Sequence, residues 1–306
     1  MNPIILVAET GSDLTPELAA QYNIQLVPMH VAFDSETLDD GSFPVQKICD
    51  YYRDTRKLPR TSGCSPEDFI NIFDEIHNSN PTAQILYLAY SAVTTCSYQS
   101  AIIAAEDRDY VTAIDTKQVS VGQAAIVIEI AKLLKKNPEL SIHEVLAAAN
   151  DLIARAKMCF LPDNLEFLRA GGRVSNAVCM GSRILNIHPC IEILDGTLVA
   201  TKKYRGKMKK IASQLIKDYA DSYALKRDTL WLVYTIGLRR NPHQCGRNRK
   251  RMRISAGKLD SGRRGDYHAW RSSCLRFSRI LIQRHIMEYD DTRVKRSCFS
   301  CLHEKT

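Results

Sequence analysis

Three short segments of this 306-residue chain hold residue types that bind anions. The stretch Leu165-Glu166-Phe167-Leu168-Arg169-Ala170-Gly171-Gly172-Arg173-Val174-Ser175 ends an apolar, helix-like run in two glycines and delivers a fixed cation. Paired glycines close a helix at positive φ and let a ligand approach the backbone. The guanidinium of Arg173 is permanently charged and forks onto carboxylate or phosphate, which makes it a candidate reader of an anionic group. Taken alone, the segment is a helix end with a surface arginine. A second segment, Thr61-Ser62-Gly63-Cys64-Ser65-Pro66-Glu67-Asp68-Phe69, sets several hydroxyls ahead of a helix. A capping box accounts for Ser65 but leaves Thr61 and Ser62 without a role. In the third, Ser91-Ala92-Val93-Thr94-Thr95-Cys96-Ser97-Tyr98, an apolar strand gives way to a helix, a place where hydroxyls and backbone N–H groups converge on an anion. An N-cap with incidental neighbours reads as well from that segment alone. No His, Asp or Glu adjoins these hydroxyls to activate a nucleophile, so a serine hydrolase is not supported. Neither a P-loop nor a Gly-x-Gly-x-x-Gly fingerprint occurs.

The elements that must position these segments read as an α/β pattern. Ile4 to Ala8 is a buried strand, and Gly11 to Glu17 is a turn opening a helix with Pro16 in its first turn. Ile24 to Val31, Ile85 to Tyr90 and Val111 to Asp115 read as further strands, with helices over Gln99 to Glu106 and Gly122 to Lys136. Alternation of this kind predicts a largely parallel sheet flanked by helices, with ligands at the carboxyl ends of its strands. A helix from Ile142 to Lys157 closes a first domain, 1–157. A second α/β domain, 158–238, then holds the Gly-Gly-Arg turn, a helix near Ala177 to Leu185, a hairpin around Asp195-Gly196, a basic helix from Lys202 to Lys217 and a strand from Leu230 to Thr235.

The net charge of +8 averages two unlike pieces. Residues from Arg239 to Thr306 hold 18 Lys and Arg against 6 Asp and Glu, a net of +12, which leaves 24 against 28, a net of −4, for residues 1–238. The N-terminus has no basic leader or cleavage site and no run approaches a membrane span, so the expectation is a cytoplasmic protein. Ten cysteines scattered through such a chain are expected to be free thiols.

Taken together and in order, the segments resemble the DegV family of fatty-acid-binding proteins, the acyl-carrying subunits of bacterial fatty acid kinase. The resemblance covers residues 4–238. Its motifs are Glu9-Thr10-Gly11-Ser12-Asp13-Leu14, where the family has Asp-Ser-x-x-Asp-Leu; Val27-Pro28; Asp40-Gly41; Thr61-Ser62; and Thr95-Cys96-Ser97-Tyr98-Gln99-Ser100-Ala101 for Ser-Gly-Thr-Tyr-Gln-Ser-Ala. They continue with the Gly171-Gly172-Arg173 stretch, Asn186-Ile187-His188-Pro189, and Lys203, Arg205, Gly206 and Lys209. The resemblance implies a two-domain α/β fold and a long-chain fatty acid as bound ligand, with no cofactor, no metal and no catalytic residue. It further implies that the carboxylate is held by Thr61, Ser62 and Thr95, and that Arg173 faces the head group and the catalytic subunit of the kinase. Transient contact with a membrane belongs to the same expectation, and nucleic acid does not. Burying about sixteen carbons is worth roughly 12 kcal/mol at about 0.8 per methylene, so an interior tunnel suffices for retention. The carboxylate is the harder group, since inside a protein it must be hydrogen-bonded.

The family's closing motifs, an Asn-Trp strand and a His-x-Gly-Pro-Gly-Ala turn beside the acyl head group, have no counterpart after Leu238. Codons for Asp266 to Arg279, read from the second base of each, allow Thr-His-Gly-Gly-Pro-Pro-Ala within one run, and Gly257 to Asp260 allow Glu-Asn-Trp-Ile. The tail 239–306 is therefore read as out of frame and disordered, because a basic segment with little apolar periodicity cannot offset its ordering entropy. Two rivals for the tail are a nucleic-acid-binding arm, which lacks interleaved aromatics, and half a zinc site at Cys298, Cys301 and His303, which lacks a second pair. For the whole chain, the rival function is an α/β enzyme acting on a small anionic metabolite, clamped by Arg173.

Overall fold

The computed structural model describes residues 2–162, 165–173, 187–223, 225 and 230–236, and the backbone strands at 255–257 and 277–284. The first unit is built as the alternation predicts. Strand β1 (Ile4–Glu9) leads through a 3-10 turn into helix α1 (Pro16–Tyr22), whose Thr15 caps the Leu18 N–H ahead of Pro16. Strands β2 (Ile24–Val27), β3 (His30–Ala32) and β4 (Thr37–Asp39) follow, then helix α2 (Gln46–Thr55), strand β5 (Arg60–Ser62) and helix α3 (Pro66–Ser79). The run Ile24 to Val31, expected as one strand, is two. Pro28 has no N–H for a ladder, and the chain leaves one sheet for another at that point. Strand β6 (Gln84–Ala89), helix α4 (Ser97–Ala104), strand β7 (Val111–Asp115) and helices α5 (Val121–Lys136) and α6 (Ile142–Arg155) complete this half.

The order β2-β1-β6-β7 makes a four-stranded sheet that is parallel throughout, while β4-β3-β5 forms a small antiparallel sheet beside it. A third sheet has six antiparallel strands. Strand β8 (Lys157–Pro162) is followed by the short helix α7 (Glu166–Ala170), the hairpin β9 (Ile187–Leu194) and β10 (Thr197–Arg205), helix α8 (Met208–Ser222) and strand β11 (Leu230–Ile236). With β12 (Ser255–Gly257) and β13 (Phe277–Arg284), the spatial order is β10-β9-β8-β13-β11-β12.

Two expectations change here. The basic stretch from Lys202 is strand as far as Arg205, and the helix begins only at Met208. Strand β10 lies at the sheet edge, where lysines face solvent and discourage pairing with another chain. The stretch from 239, read as disordered, contributes β12 and β13, and the latter pairs on both sides, Leu281 opposite Phe160 on β8 and Val233 on β11. Its Ile280-Leu281-Ile282 run is apolar and mostly β-branched, a composition that favours strand. The helix expected at Ala177 to Leu185 and the cysteines at 298 and 301 lie outside the described residues.

Helix α5 is the hub of the core. Val121 to Ile128, Ile130, Ala131 and Leu133 are all buried, so the helix is enclosed on all sides over its first two turns and reaches solvent only towards its lysine-rich end. It packs on β1 and β6 to one side and on β11 and β13 to the other. One continuous apolar cluster therefore runs from Leu6 and Leu88 through Ile126 and Ile130 to Phe160, Ile191 and Val233. Helices α3 and α4 cover the far face of the parallel sheet, with Phe69 and Phe73 of α3 against Val7 and Tyr87, and α8 covers the antiparallel sheet, with its Leu215 against Leu161 and Leu232.

Candidate functional site

The three hydroxyl- and arginine-bearing segments come together at the carboxyl end of β6. Ser65 caps α3 in a reciprocal box with Asp68, which fixes the chain just after Thr61, Ser62 and Gly63. Thr61 and Ser62 sit on the exposed edge strand β5, paired with Val31 and His30. Gly63 lies against the loop before α4: a Cβ added there would stand 2.4 Å from Thr95 Oγ1 and 2.6 Å from Ser97 Oγ. Only glycine lets the two loops approach so closely. The Cys64 N–H donates to Ser97 Oγ at 3.1 Å, and Thr95 Oγ1 lies 3.2 Å from Ser97 Oγ. Thr95 is half-buried and Ser97 fully buried. Cys96, which stands where the family motif has glycine, has φ −80°, so the turn carries no strain from the side chain.

Arg173 reaches the same loop from the other side. Helix α7 ends in a Schellman turn: Arg173 N–H donates to Leu168 O and Gly172 N–H to Arg169 O, with Gly172 at φ +71°. Of the two glycines, it is Gly172 that needs its freedom. The turn delivers the guanidinium to the Thr94 carbonyl, which accepts from Nη2 at 2.8 Å, while Nη1 donates to Gly171 O. The arginine remains exposed. Tyr52 of α2 and Phe167 of α7 meet at 6.0 Å between ring centres.

The β9–β10 turn also bears on this loop. Asp195 (φ +46°) and Gly196 (φ +82°) form the two-residue turn that the Asp-Gly pair predicts. Gly196 O accepts from Ser91 Oγ at 2.8 Å, and a Cβ on Gly196 would meet Ser91 Oγ at 2.6 Å and Val93 Cγ2 at 2.7 Å. Lys117, after β7, pairs with Asp195.

Behind the loops lies a buried acidic residue that the sequence shows only as a motif position. Glu9, at the carboxyl end of β1, is fully buried and accepts from Tyr87 Oη, from Gln123 Nε2 and from the Tyr90 N–H at 3.1 Å. Burial raises its pKa, and the hydrogen bonds from Tyr87 and Gln123 offset only part of that rise. Burial and the neighbouring Glu9 push the Tyr87 hydroxyl up in turn. The Cys64 thiol is raised too, first by burial and then by Glu9, and the side chain packs in the core under α3 and α4. The site also takes in Ser97 and Gly63, whose signals in the sequence are a hydroxyl two residues beyond Thr95 at a helix start and a glycine flanked by hydroxyls. Among the described residues, no group of three or more His, Cys, Asp or Glu is placed to hold a metal ion. None of the described helices is long and apolar enough to cross a membrane.

Residues 3–242 match a family model described as an uncharacterised protein of the DegV family. The chain belongs to the DegV family. The match ends at residue 242, beside the point after Leu238 where the closing DegV motifs are missing. A DegV domain-containing protein of Caldanaerobacter subterraneus is 27% identical over 215 residues, covering 69% of this chain and 75% of the relative. One from Streptococcus pyogenes serotype M3 is 30% identical over 230 residues, 71% of this chain and 79% of its own. The solved structure of a DegV family protein from Thermus thermophilus, described by its fatty acid binding, superposes with a TM-score of 0.69 at 27% identity and covers 77% of this chain and 83% of its own. The fatty acid kinase (Fak) B3 protein of Streptococcus pneumoniae, solved loaded with linoleic acid, superposes with a TM-score of 0.70 over 94% of this chain and 100% of its own. At 17% identity the latter shares the DegV fold.

Proposed function

We propose that this chain binds a long-chain fatty acid in an interior tunnel and presents its carboxyl group to a fatty acid kinase for acyl-phosphate formation. Thr61, Ser62 and Thr95 bind the carboxylate, and Arg173 faces the head group and the kinase. The observation that carries this reading is the convergence of all three segments on one loop, with Gly63 against Thr95 and Arg173 on the Thr94 carbonyl. Neutral hydroxyls suit a carboxylate that must leave as an acyl phosphate, because they hold it by hydrogen bonds without an ion pair to break. Arg173, exposed and permanently charged, suits the added phosphate. The fatty-acid-binding description of the Thermus relative, at 27% identity, supports the ligand class. We assign the chemical step to the partner, so that the chain acts as a cytoplasmic carrier and not as an enzyme.

Lipid extraction and mass spectrometry of the purified full chain test the ligand. A long-chain fatty acid in near-stoichiometric amount is expected, and Thr95→Val should bind it about 10- to 100-fold more weakly, the value of a hydrogen bond to a charged group. Arg173→Ala should keep the acyl chain yet fail to support phosphorylation by an added fatty acid kinase. Well-folded protein that carries no acyl chain and takes up none when supplied would refute the reading and favour an enzyme of small anionic metabolites.

A further inference from the structure

We infer that Ser97 is a positioning residue that fixes the Thr95 hydroxyl as a hydrogen-bond donor and so makes the head-group site selective for an acceptor-only, anionic group over a neutral one. This rests on the proposed acyl site and adds a determinant of its selectivity. A hydroxyl carries one proton and two acceptor lone pairs. At Ser97 Oγ one lone pair is taken by the Cys64 N–H at 3.1 Å. Thr95 Oγ1 lies 3.2 Å away and is also approached by the Ser97 N–H at 3.4 Å. With the Ser97 proton directed to Thr95, both lone pairs of Thr95 Oγ1 are engaged, and what it has left to offer a ligand is its proton. The reverse direction would leave the proton of a fully buried Ser97 seeking a further acceptor, and none among the described residues is bonded to it.

The relay thus runs one way, from the Cys64 N–H through Ser97 to Thr95, and from buried to half-buried. Each donor polarises the next, so the last proton is a stronger donor than an isolated threonine's. A carboxylate gains most from such a donor because the bond is charge-assisted. Gly63 closes over both oxygens, where a Cβ would intrude on each. That cover holds the Cys64 N–H at the start of the relay.

Dissociation constants of hexadecanoic acid and hexadecan-1-ol, measured on the full chain and its variants at pH 8, test the inference. Ser97→Ala should weaken the acid about ten-fold while the alcohol changes by less than about three-fold. Ser97→Thr, which keeps the hydroxyl, should restore the preference for the acid. In a Thr95→Val background, Ser97→Ala should change acid binding no further. Acid and alcohol weakening together, or the losses from Ser97→Ala and Thr95→Val multiplying, would overturn the role assigned to Ser97 while leaving the acyl site standing. Wild-type protein that binds neither ligand overturns both readings.

Discussion

Replacing Gly63 by alanine tests whether the close approach of two loops builds the head-group site. Gly63 is not in the left-handed region, so alanine meets no backbone penalty there. The steric demand is another matter. Its Cβ would stand 2.4 Å from Thr95 Oγ1, 2.6 Å from Ser97 Oγ and 3.2 Å from the Ser97 backbone nitrogen, where ordinary contacts begin near 3.4 Å. The hydroxyls must therefore retreat by close to an ångström, and the backbone nitrogen opposes any movement of the loop as a body. Such overpacking costs about 1–3 kcal/mol. Loss of glycine's freedom in the unfolded chain returns about 0.4–1 kcal/mol. The net is a destabilisation of about 1–2 kcal/mol, a fall in Tm of roughly 2–6 °C for a chain of this size. Retreat of that size also breaks the 3.1 Å bond from Cys64 to Ser97 and turns Thr95 away, so fatty acid affinity should fall about ten-fold or more. Calorimetry and fatty acid titration read the two effects separately. Gly41→Ala is the control: it has φ +91° with nothing near its Cβ, so it should lower stability through backbone strain alone and leave affinity intact. A Gly63→Ala protein with wild-type Tm and affinity would refute the idea that this contact shapes the site.

Further outcomes are expected from the titrating groups and from the gene. The folded pKa of Glu9 is raised above its ordinary 4.5, so its contribution to stability is present below that value and is lost as pH rises through the folded one. Glu9→Gln should flatten that decline, and urea midpoints that fall with pH as steeply as in wild type would count against it. His30 bonds Asp68 at 2.8 Å and Asp39 at 3.0 Å, and although burial pulls its pKa down, these partners outweigh it. Its stabilisation is therefore full below 6.5 and is lost as pH rises through the raised folded value. His30→Gln should cost most near pH 6 and least near pH 9, and a cost independent of pH would exclude the ion pairs as its source. Sequencing the gene over codons 257–279 should find codons whose one-base-shifted reading restores the Asn-Trp and His-Gly-Gly-Pro motifs. Incompatible codons end the frame hypothesis.

The parallel sheet and α5 were legible because their signals are local and strong: β1, β6 and β7 are apolar runs bounded by turns, and α5 is a long apolar helix beginning within a residue of its expected start. The Ser65–Asp68 cap and the Asp195–Gly196 turn were read from residue chemistry that does not depend on distant partners. Elements set by tertiary neighbours were hidden. Lys202 and Lys203 continue a strand because β9 pairs with them, overriding the helical look of a basic segment. The helix expected from Ile142 to Lys157 ends at Arg155, and Lys157 instead opens β8, which follows α6 with one residue between them. At the site, residue type, order and family resemblance point to Thr61, Ser62, Thr95 and Arg173. That Gly63 touches Thr95, and that Ser97 stands beneath it, are contacts across more than thirty residues that no periodicity encodes.

The place of β13 bears on how the chain is made. Residues 277–284 fill the gap between β8, complete by residue 162, and β11, complete by residue 236. The middle of the sheet is thus the last of its strands to leave the ribosome. At about 5–20 residues per second, β8 waits roughly 6–24 s for its partner. Throughout that interval one flank of α5 lacks its cover and the facing edges of β8 and β11 lack their ladder partner, much longer than local elements need to form. A nascent chain in that condition is a natural client for a chaperone that shields hydrophobic surface, and one whose synthesis pauses before residue 277 is exposed to aggregation for as long as the pause lasts.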